Sequence, residues 1–373
     1  MPRVAAALVF LLAVCLAGLA SSDPIEVLYL ETYNQRPERQ SLLYTYNVNP
    51  QTADPEQIGA PLPVARTSID PLTINGKHVL YLWNGTDVWK YNTDAKGAPE
   101  PKASQHLKYG FSSQIFSFIV DPNGEFAYAA LETWNGSADS YKLVLFTIDP
   151  FTGDLTNTWK VAGSYGPSSR IAEFLFGVSG RRLYSLEIID APYTCGEEYD
   201  FYDVRQDTGS LGQLSYLLGW GGCDAPIVGT ISDTLTALSN TPRPGWGTIV
   251  VNNTFTGQSI NCDEAMLAYC GDQSAGLYLD PASKNIFVQD WSTGLTNVAH
   301  IDFQNSQLLA TPRSIAGIAL PIFSPDGRVV CSPDGWGNIQ TYSFDPDTGL
   351  LSAGGSLFTN TWFNLATATL TGQ

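Results

Sequence analysis

The chain alternates apolar and polar residues in short stretches that each end in a turn. In the clearest case, residues 339–344 alternate with the period of two that is typical of a β-strand. The turn Asp345-Pro-Asp-Thr-Gly349 follows, where the proline presets φ and the glycine accepts a positive φ. The same strand and turn recur at residues 145–155, which indicates a repeated structural unit.

Copies of this unit divide the whole chain at intervals of 42 to 56 residues. The seven copies are anchored at Tyr44, Lys90, Phe146, Tyr202, Ile249, Ala299 and Thr341. A second strand precedes each copy, and hairpin turns such as Asp121-Pro-Asn-Gly124 stand before several of these strands. Such a repeat predicts blades, because a single four-stranded sheet cannot bury both of its faces. We therefore expect an all-β fold, a seven-bladed β-propeller of four-stranded antiparallel blades.

The end of the chain should complete the first blade. That blade begins with its second strand near Ile25, so its first strand must come from elsewhere. Residues 361–370 provide a suitable stretch. Their pairing with the first blade would close the ring and remove two exposed sheet edges.

Residues 1–20 have the features of a secretory signal peptide. Arg3 precedes an apolar run from Val4 to Leu16, and small residues follow at the cleavage positions. We therefore divide the chain into a signal peptide, 1–20, and one propeller domain, 21–373. We expect the mature protein to be extracellular, either free or held at the cell wall or cell surface. Secretion makes three N-glycosylation sequons meaningful, at Asn84, Asn135 and Asn252.

Five cysteines follow the signal peptide. Cys262 and Cys270 form the natural local disulfide, and Cys195 with Cys223 is a second predicted pair. Cys331 is then expected to be a buried free thiol in a strand. No CxxC pair occurs and the chain has three histidines, so we predict no metal site.

The formal net charge of −17 over 373 residues makes the surface strongly acidic. Such a surface repels nucleic acid and anionic membranes, so neither is an expected partner. No later apolar stretch is long enough for a membrane span. We expect a monomer whose partner is a small carboxylate or lactone, bound by a local cluster of arginines.

The chemistry should lie on one face of the propeller. The loops between blades, and those between second and third strands, open on the same face and here carry charged and aromatic residues. We expect the starts of first strands to present Arg66, Phe116, Arg170 and Arg313, and the ends of second strands and their loops to present Glu31, Glu132, Glu187 and Trp291. Arginines from separate blades fit a ligand with carboxylate groups, because arginine binds a carboxylate through two parallel hydrogen bonds.

These residues carry a resemblance to a known family. The chain resembles the seven-bladed propeller lactonases, which include bacterial 6-phosphogluconolactonases and fungal carboxy-cis,cis-muconate cyclases. The shared marks are the Asp-Pro-x-Thr-Gly turns, the hairpin Ser324-Pro-Asp-Gly327, and an arginine before a first strand with a glutamate ending the second. Arg170 and Glu187 stand in that relation, and Arg243 follows two residues beyond the place of the family's Ser-Asn-Arg. The resemblance covers essentially the whole mature chain and implies that Arg170, Glu187 and Arg243 are catalytic.

One position departs from the cyclases. They place a histidine just before the hairpin of the third blade, where this chain has Phe116, and His106 could replace it only if the preceding loop folded inward. The resemblance implies a cofactor-free reaction in which one carboxylate of a muconate-type diacid adds across a C=C bond. Arg170 and Arg243 would hold carboxylates, and Glu187 would orient them or deliver the proton. Lactone hydrolysis would use similar groups with water as nucleophile.

Two functions of different classes follow from the sequence. The first is a lactonizing enzyme of the carboxy-cis,cis-muconate cyclase type, or a related lactone-processing enzyme acting on a small carboxylate. The second is a non-catalytic secreted glycoprotein, such as a surface antigen, adhesin or carbohydrate binder. In the second case Arg170 and Glu187 form an ion pair that braces their blade, Arg243 is a solvated surface charge, and Arg66 and Arg313 are structural or exposed.

Overall fold

The structure is a computed structural model that describes most of the chain after the predicted signal peptide, which lies outside the described residues. The described residues are 24–33, 41–65, 67–109, 114–134, 139–165, 170–177, 179–191, 194–221, 228–231, 235–240, 248–253, 256–262, 274–290, 295–316, 321–333, 338–359 and 362–370.

The described residues form seven four-stranded antiparallel sheets. The first four sheets contain β1 (Ile25–Tyr33), β2 (Ser41–Val48) and β3 (Pro55–Val64) with the C-terminal β28 (Trp362–Leu370); β4 (Ser68–Ile74), β5 (Lys77–Trp83), β6 (Asp87–Asn92) and β7 (Gln105–Lys108); β8 (Gln114–Val120), β9 (Phe126–Trp134), β10 (Asp139–Ile148) and β11 (Leu155–Tyr165); and β12 (Arg170–Phe176), β13 (Arg182–Ala191), β14 (Thr194–Val204) and β15 (Leu211–Gly221). The other three contain β16 (Val228–Ile231), β17 (Leu235–Asn240), β18 (Thr248–Asn253) and β19 (Ser259–Cys262); β20 (Ser274–Leu279), β21 (Asn285–Asp290), β22 (Leu295–Asp302) and β23 (Gln307–Ala316); and β24 (Ile322–Phe323), β25 (Val329–Pro333), β26 (Asn338–Asp345) and β27 (Leu350–Phe358).

The predicted all-β architecture of four-stranded antiparallel blades is confirmed. The anchors of the repeat lie on third strands, with Tyr44 on β2 and Phe146 on β10. Within most sheets the strands follow chain order, as in β4-β5-β6-β7. Residues of the first strands β4, β8, β12, β20 and β24 line one shared cavity, so these strands are the innermost. This arrangement of blades around a common centre is a β-propeller.

The C-terminal strand joins the first blade, as the sequence predicts. β28 pairs antiparallel with β1, from Ile25 opposite Leu370 to Tyr33 opposite Trp362. The strand order of this sheet is β28-β1-β2-β3. The last strand of the chain therefore takes the place of the first strand of this blade.

Apolar side chains of neighbouring sheets form the core between them. Leu28 and Leu30 of the first sheet pack with Val329, Cys331 and Ile339 of the last sheet. Similar clusters join other successive sheets. Burial of each large apolar side chain contributes about 1.5–3 kcal/mol, so these interfaces are the main source of stability.

Buried tyrosines connect three blades to the turn of the next blade. The three hydrogen bonds run from Tyr29 Oη to Gly97 O (2.8 Å), from Tyr81 Oη to Gly153 O (2.6 Å) and from Tyr128 Oη to Gly209 O (2.5 Å). Each acceptor glycine has a positive φ, and a Cβ atom on Gly209 would lie 2.5 Å from the ring of Phe126. The glycine turns that repeat in the sequence therefore also dock neighbouring blades.

The cysteine predictions fall partly on described residues. Cys331 is a free thiol, wholly buried in β25 as predicted, and burial raises its pKa to about 12. Cys262 is disulfide-bonded. Its predicted partner Cys270 lies outside the described residues, as does Cys223, so both predicted pairings, including that of Cys195, stay predictions. A membrane-spanning helix is absent from the described residues.

Candidate functional site

Arg170 and Glu187 lie in neighbouring residue pairs of two antiparallel strands. β12 begins at Arg170, which pairs with Ile188, and Glu187 pairs with Ile171. The hairpin that joins these strands follows Phe176, at the other end of β12. The backbone thus brings the two positions together on the side of the blade remote from its first hairpin.

Three other predicted site residues lie outside the described residues, namely Arg66, Arg243 and Trp291. The convergence of Arg243 with Arg170 and Glu187 therefore stays a prediction, as do the binding roles of Arg66 and Trp291.

Arg313 lies on an outer strand, so its expected position at the start of a first strand is wrong. It belongs to β23, the fourth strand of its sheet. The register of β23 shifts at a bulge, where the Thr311 hydroxyl donates to Val298 O (2.8 Å), and the strand then continues to Ala316. The next first strand begins only at Ile322. A binding role for Arg313 stays a prediction.

Phe116 lies on the inner strand β8, as expected, and packs between blades. Its half-buried ring meets the ring of Tyr141 edge-on, with the centroids 5.3 Å apart, beside an apolar cluster. The Tyr141 hydroxyl donates to Glu132 Oε1 (3.0 Å). Sequence reasoning named Glu132 but missed Tyr141, because a tyrosine within a strand resembles any packing residue. Where the cyclases have a histidine, this chain therefore has an apolar ring. That ring contacts Tyr141, whose hydroxyl binds the Glu132 carboxylate.

His106 does not take the place of that histidine. It lies on β7, the fourth strand of its sheet. There its ring stacks on Trp89 with the centroids 5.3 Å apart, and its Nε2 lies 2.6 Å from Asp87 Oδ1. His106 therefore lies on an outer strand and not in an inward-folded loop, as replacement of the cyclase histidine would require.

Glu31 connects the end of one second strand to the start of the next first strand. Its buried carboxylate accepts hydrogen bonds from the backbone N–H of Thr67, at 3.0 and 3.2 Å for the two oxygens. Thr67 directly follows Arg66 in the sequence and directly precedes β4. This carboxylate therefore has a structural role at the junction of two blades.

Two of the sequon asparagines lie on described residues. Asn84 stands in the turn between β5 and β6, where its Oδ1 accepts hydrogen bonds from the backbone N–H groups of Thr86 and Asp87, both at 2.9 Å. Asn252 lies on β18, and its Oδ1 accepts a hydrogen bond from the Ser259 hydroxyl (2.7 Å). Asn135 lies outside the described residues. Glycosylation at all three sites stays a prediction.

A cavity of about 650 Å³ lies among the first strands. It is lined by residues of β4, β8, β12, β20 and β24, by Trp83, and by the starts of the hairpins that follow several of these strands. Its wall combines the apolar residues Phe118, Phe174, Phe176 and Phe323 with polar residues, among them Ser68, Ser117 and Ser324. A cavity of this size and character is sufficient for a small organic ligand.

Asp70 is a polar group of this wall that sequence reasoning missed. Asp70-Pro71 resembles a turn dipeptide, but both residues lie within β4, where the edge position tolerates a proline. Burial raises the pKa of the Asp70 carboxyl to about 7, although the hydrogen bond from Trp83 Nε1 to Oδ2 (2.7 Å) lowers it. Asp70 can therefore gain or lose a proton near neutral pH.

The second carboxyl group of the wall, that of Asp280, is fully engaged by its own hairpin. Its Oδ1 accepts hydrogen bonds from the backbone N–H groups of Lys284 (2.7 Å) and Asn285 (2.8 Å), and its Oδ2 accepts one from Asn285 Nδ2 (3.2 Å). Asp280 therefore stabilises the turn after β20, whereas Asp70 keeps one oxygen available.

Comparison with known proteins identifies the fold. No family profile and no curated protein sequence matches the chain. Among solved structures, a candidate 6-phosphogluconolactonase of Bacteroides fragilis is 14% identical with a TM-score of 0.55, over 92% of this chain and 98% of that one. A second, from Bacteroides uniformis, is 15% identical with a TM-score of 0.58, over 92% and 100%. The periplasmic gluconolactonase of Pseudomonas aeruginosa is 11% identical with a TM-score of 0.58, over 92% and 99%. At these identities the similarity shows a shared fold.

Proposed function

We propose that the protein is a lactone-processing enzyme acting on a small substrate that bears a carboxylate. The observation that carries this proposal is the register of β12 and β13, which places Arg170 and Glu187 in neighbouring residue pairs at the same end of the blade. These are the residues that the resemblance to propeller lactonases implies for catalysis. Further support comes from the gluconolactonase of Pseudomonas aeruginosa, which has the same fold over 92% of this chain.

In this proposal each of three charged residues has one role in lactone hydrolysis. Arg170 binds the substrate carboxylate through two parallel hydrogen bonds, and Glu187 takes a proton from a water molecule. The water oxygen forms a bond to the lactone carbonyl carbon, and Arg243 stabilises the resulting oxyanion. The ring C–O bond then breaks, and the proton passes to the leaving alkoxide to give the hydroxy acid.

Phe116 favours hydrolysis over cyclisation of a muconate. Cyclisation must deliver a proton to carbon, and the cyclases carry a histidine where this chain has Phe116. The Phe116 ring packs against Tyr141 and has no proton to give. The finer form of the proposal, a carboxy-cis,cis-muconate cyclase, therefore requires Glu187 to deliver that proton itself.

The presence of Phe116 in place of the cyclase histidine also supports a second candidate, a non-catalytic secreted glycoprotein on an inherited scaffold. Loss of the histidine fits loss of activity, and the predicted signal peptide and sequons fit an extracellular surface protein. In this alternative Arg170 and Glu187 brace their blade, and the ligand is a macromolecule or a carbohydrate.

We further propose that the mature chain, residues 21–373, is a secreted monomer whose seven blades form one closed ring. The pairing of β28 with β1 supports ring closure. So does the apolar cluster in which Leu28 of the first sheet packs with Val329 of the last.

The test is lactone hydrolysis by the purified mature protein, followed as acid release in a pH-stat. The substrates are gluconolactone, 6-phosphogluconolactone and γ-lactones with a carboxylate side chain, and the diene absorbance of 3-carboxy-cis,cis-muconate is followed in parallel. We expect Arg170→Ala and Glu187→Gln each to lower kcat/KM by about 100-fold or more. The control is Arg328→Ala, which removes an exposed arginine beside the first hairpin of the last sheet, 3.4 Å from Asp326, and should leave kcat/KM unchanged.

The possible outcomes separate the candidates. Lactone turnover that both site variants lose supports the hydrolase. Loss of the diene absorbance, with the same dependence on Arg170 and Glu187, supports the cyclase. Turnover that survives both variants refutes this site, and a folded protein with no turnover on any substrate supports the non-catalytic glycoprotein.

A further inference from the structure

The cavity among the first strands has a chemical character of its own. Its described lining contains two carboxyl groups and no lysine, arginine or histidine. The rest of the described lining combines apolar residues, among them four phenylalanines and Trp83, with the serines Ser68, Ser117 and Ser324. A carboxylate in such a wall attracts positive charge more strongly than one on an open surface, because the protein around it lowers the effective dielectric constant.

Asp70 is the group available to a ligand. Trp83 Nε1 fixes one carboxyl oxygen, Oδ2, at 2.7 Å. The other oxygen, Oδ1, has no hydrogen-bond partner among the described residues, although the residue lines the cavity. The indole therefore holds the carboxyl in a fixed orientation and leaves one oxygen for a donor in the cavity.

We propose that this cavity binds a small organic cation, an ammonium group on an aromatic or aliphatic body, with its charge against Asp70. The ammonium would donate a charge-assisted hydrogen bond to Oδ1, and the phenylalanine rings would cover the body and attract the charge through their faces. A metal ion fits less well, because no group of three metal-binding side chains occurs among the described residues. An anion is disfavoured by both carboxyl groups and by the protein's charge of −17.

This proposal rests on Asp70 and uses neither Arg170 nor Glu187. The lining extends from Ser68 and Trp83, at the end of their blade remote from its first hairpin, to the hairpins themselves. Lactone turnover and cation binding depend on different residues and can therefore succeed or fail independently.

Calorimetric titration of the mature protein with three probes of similar size tests the proposal. The probes are 2-phenylethylammonium, neutral 2-phenylethanol and anionic phenylacetate, at pH 8. We expect the ammonium to bind at least about tenfold more tightly than the alcohol, as a charge-assisted hydrogen bond requires, and phenylacetate not to bind. Equal affinity for the ammonium and the alcohol, preference for the anion, or no binding of the ammonium would each overturn the proposal.

The variant Asp70→Asn removes the charge and keeps an oxygen that can accept the Trp83 hydrogen bond. It should reduce the affinity for the ammonium to that for the alcohol and leave the alcohol unaffected. The control Asp203→Asn removes an exposed carboxylate that pairs with Arg182, and it should change neither affinity. An Asp70→Asn protein that binds the ammonium as tightly as the wild type contradicts the assignment.

The wild-type protein provides a second test that needs no substitution. Asp70 on β4 and Asp280 after β20 are the titratable groups of the described lining, and Asp280 is engaged by its own hairpin. With an Asp70 pKa of about 7, lowering the pH from 8 to 5.5 protonates most of the carboxyl. The affinity for the ammonium should then fall towards that for the alcohol, by at most about 30-fold, while the affinity for the alcohol stays constant. A pH-independent ammonium affinity refutes the role of Asp70.

Discussion

Replacement of Asp70 by asparagine should stabilise the protein above neutral pH. In the folded protein this carboxyl has a pKa of about 7, raised by burial from its ordinary value of 3.8. Asparagine has nearly the same shape and keeps an oxygen for the hydrogen bond from Trp83 Nε1. The substitution therefore removes the ionisable carboxyl group and keeps an acceptor for the Trp83 hydrogen bond.

The sign and size of the effect follow from the two pKa values. Between pH 4 and pH 7 the unfolded chain has lost this proton and the folded protein has kept it, so the free energy of unfolding falls as the pH rises. A pKa difference of about 3, at 1.36 kcal/mol for each pH unit, corresponds to about 4 kcal/mol. Water in the cavity screens the carboxylate, so this figure is an upper limit. The cost is absent below pH 4 and complete above pH 7.

Urea unfolding of the wild type and Asp70→Asn across pH 4 to 8.5 measures this cost. We expect the two proteins to be equally stable near pH 4 and the variant to be more stable by about 2–4 kcal/mol at pH 8. Asp203→Asn should follow the wild type throughout, because Asp203 is exposed. The reasoning is refuted if the variant is no more stable than the wild type at pH 8, or if the difference between their free energies of unfolding does not grow with pH. Either result would show that ionisation of Asp70 does not destabilise the folded protein.

Three further predictions concern the contacts between blades and the surface. Tyr128→Phe should lower the free energy of unfolding, measured in urea, by about 1–3 kcal/mol, because it leaves the buried Gly209 carbonyl without its donor. The control is Tyr91→Phe, because the Tyr91 hydroxyl has no side-chain hydrogen bond in the described structure. This control should change the free energy of unfolding by less than about 0.5 kcal/mol. Gly209→Ala should cost about 2–5 kcal/mol in the same assay, since it strains a φ of +64° and drives a methyl group into Phe126; a smaller loss would show that the turn relaxes easily. Asn84→Asp should remove one of the three predicted glycans, because it keeps the oxygen that caps the turn and removes the acceptor amide. The intact mass should fall by one glycan before glycosidase treatment and equal that of the treated wild type after it; an unchanged mass would contradict glycosylation there.

The fold was predictable because local signals repeat. The alternation around Tyr44 and Phe146 marks third strands, and the glycine turns mark the ends of such strands. Even the C-terminal strand could be assigned to the first blade, since the count of strands left one place empty. Each signal is weak alone, but the period of the repeat combines them.

The site was less predictable because its properties arise from contacts distant in sequence. Arg313 resembles the start of a first strand, but β23 continues past a bulge and includes it in the outer strand. Asp70 resembles a turn residue, and its raised pKa comes from burial among blades. Tyr141 becomes a candidate site residue only through its contacts with Glu132 and Phe116. None of these contacts is encoded in a local pattern.

Lactone hydrolysis by the wild-type protein and by Glu187→Gln, measured side by side in a pH-stat, tests the central claim most directly. Arg170 and Glu187 lie in neighbouring residue pairs of two antiparallel strands, and the proposal assigns the proton transfer from water to Glu187. We predict that the wild type opens a carboxylate-bearing lactone and that the variant, equally folded, has lost about 100-fold or more of that kcat/KM. Equal turnover by the two proteins, or none by the folded wild type, would contradict the proposed enzyme.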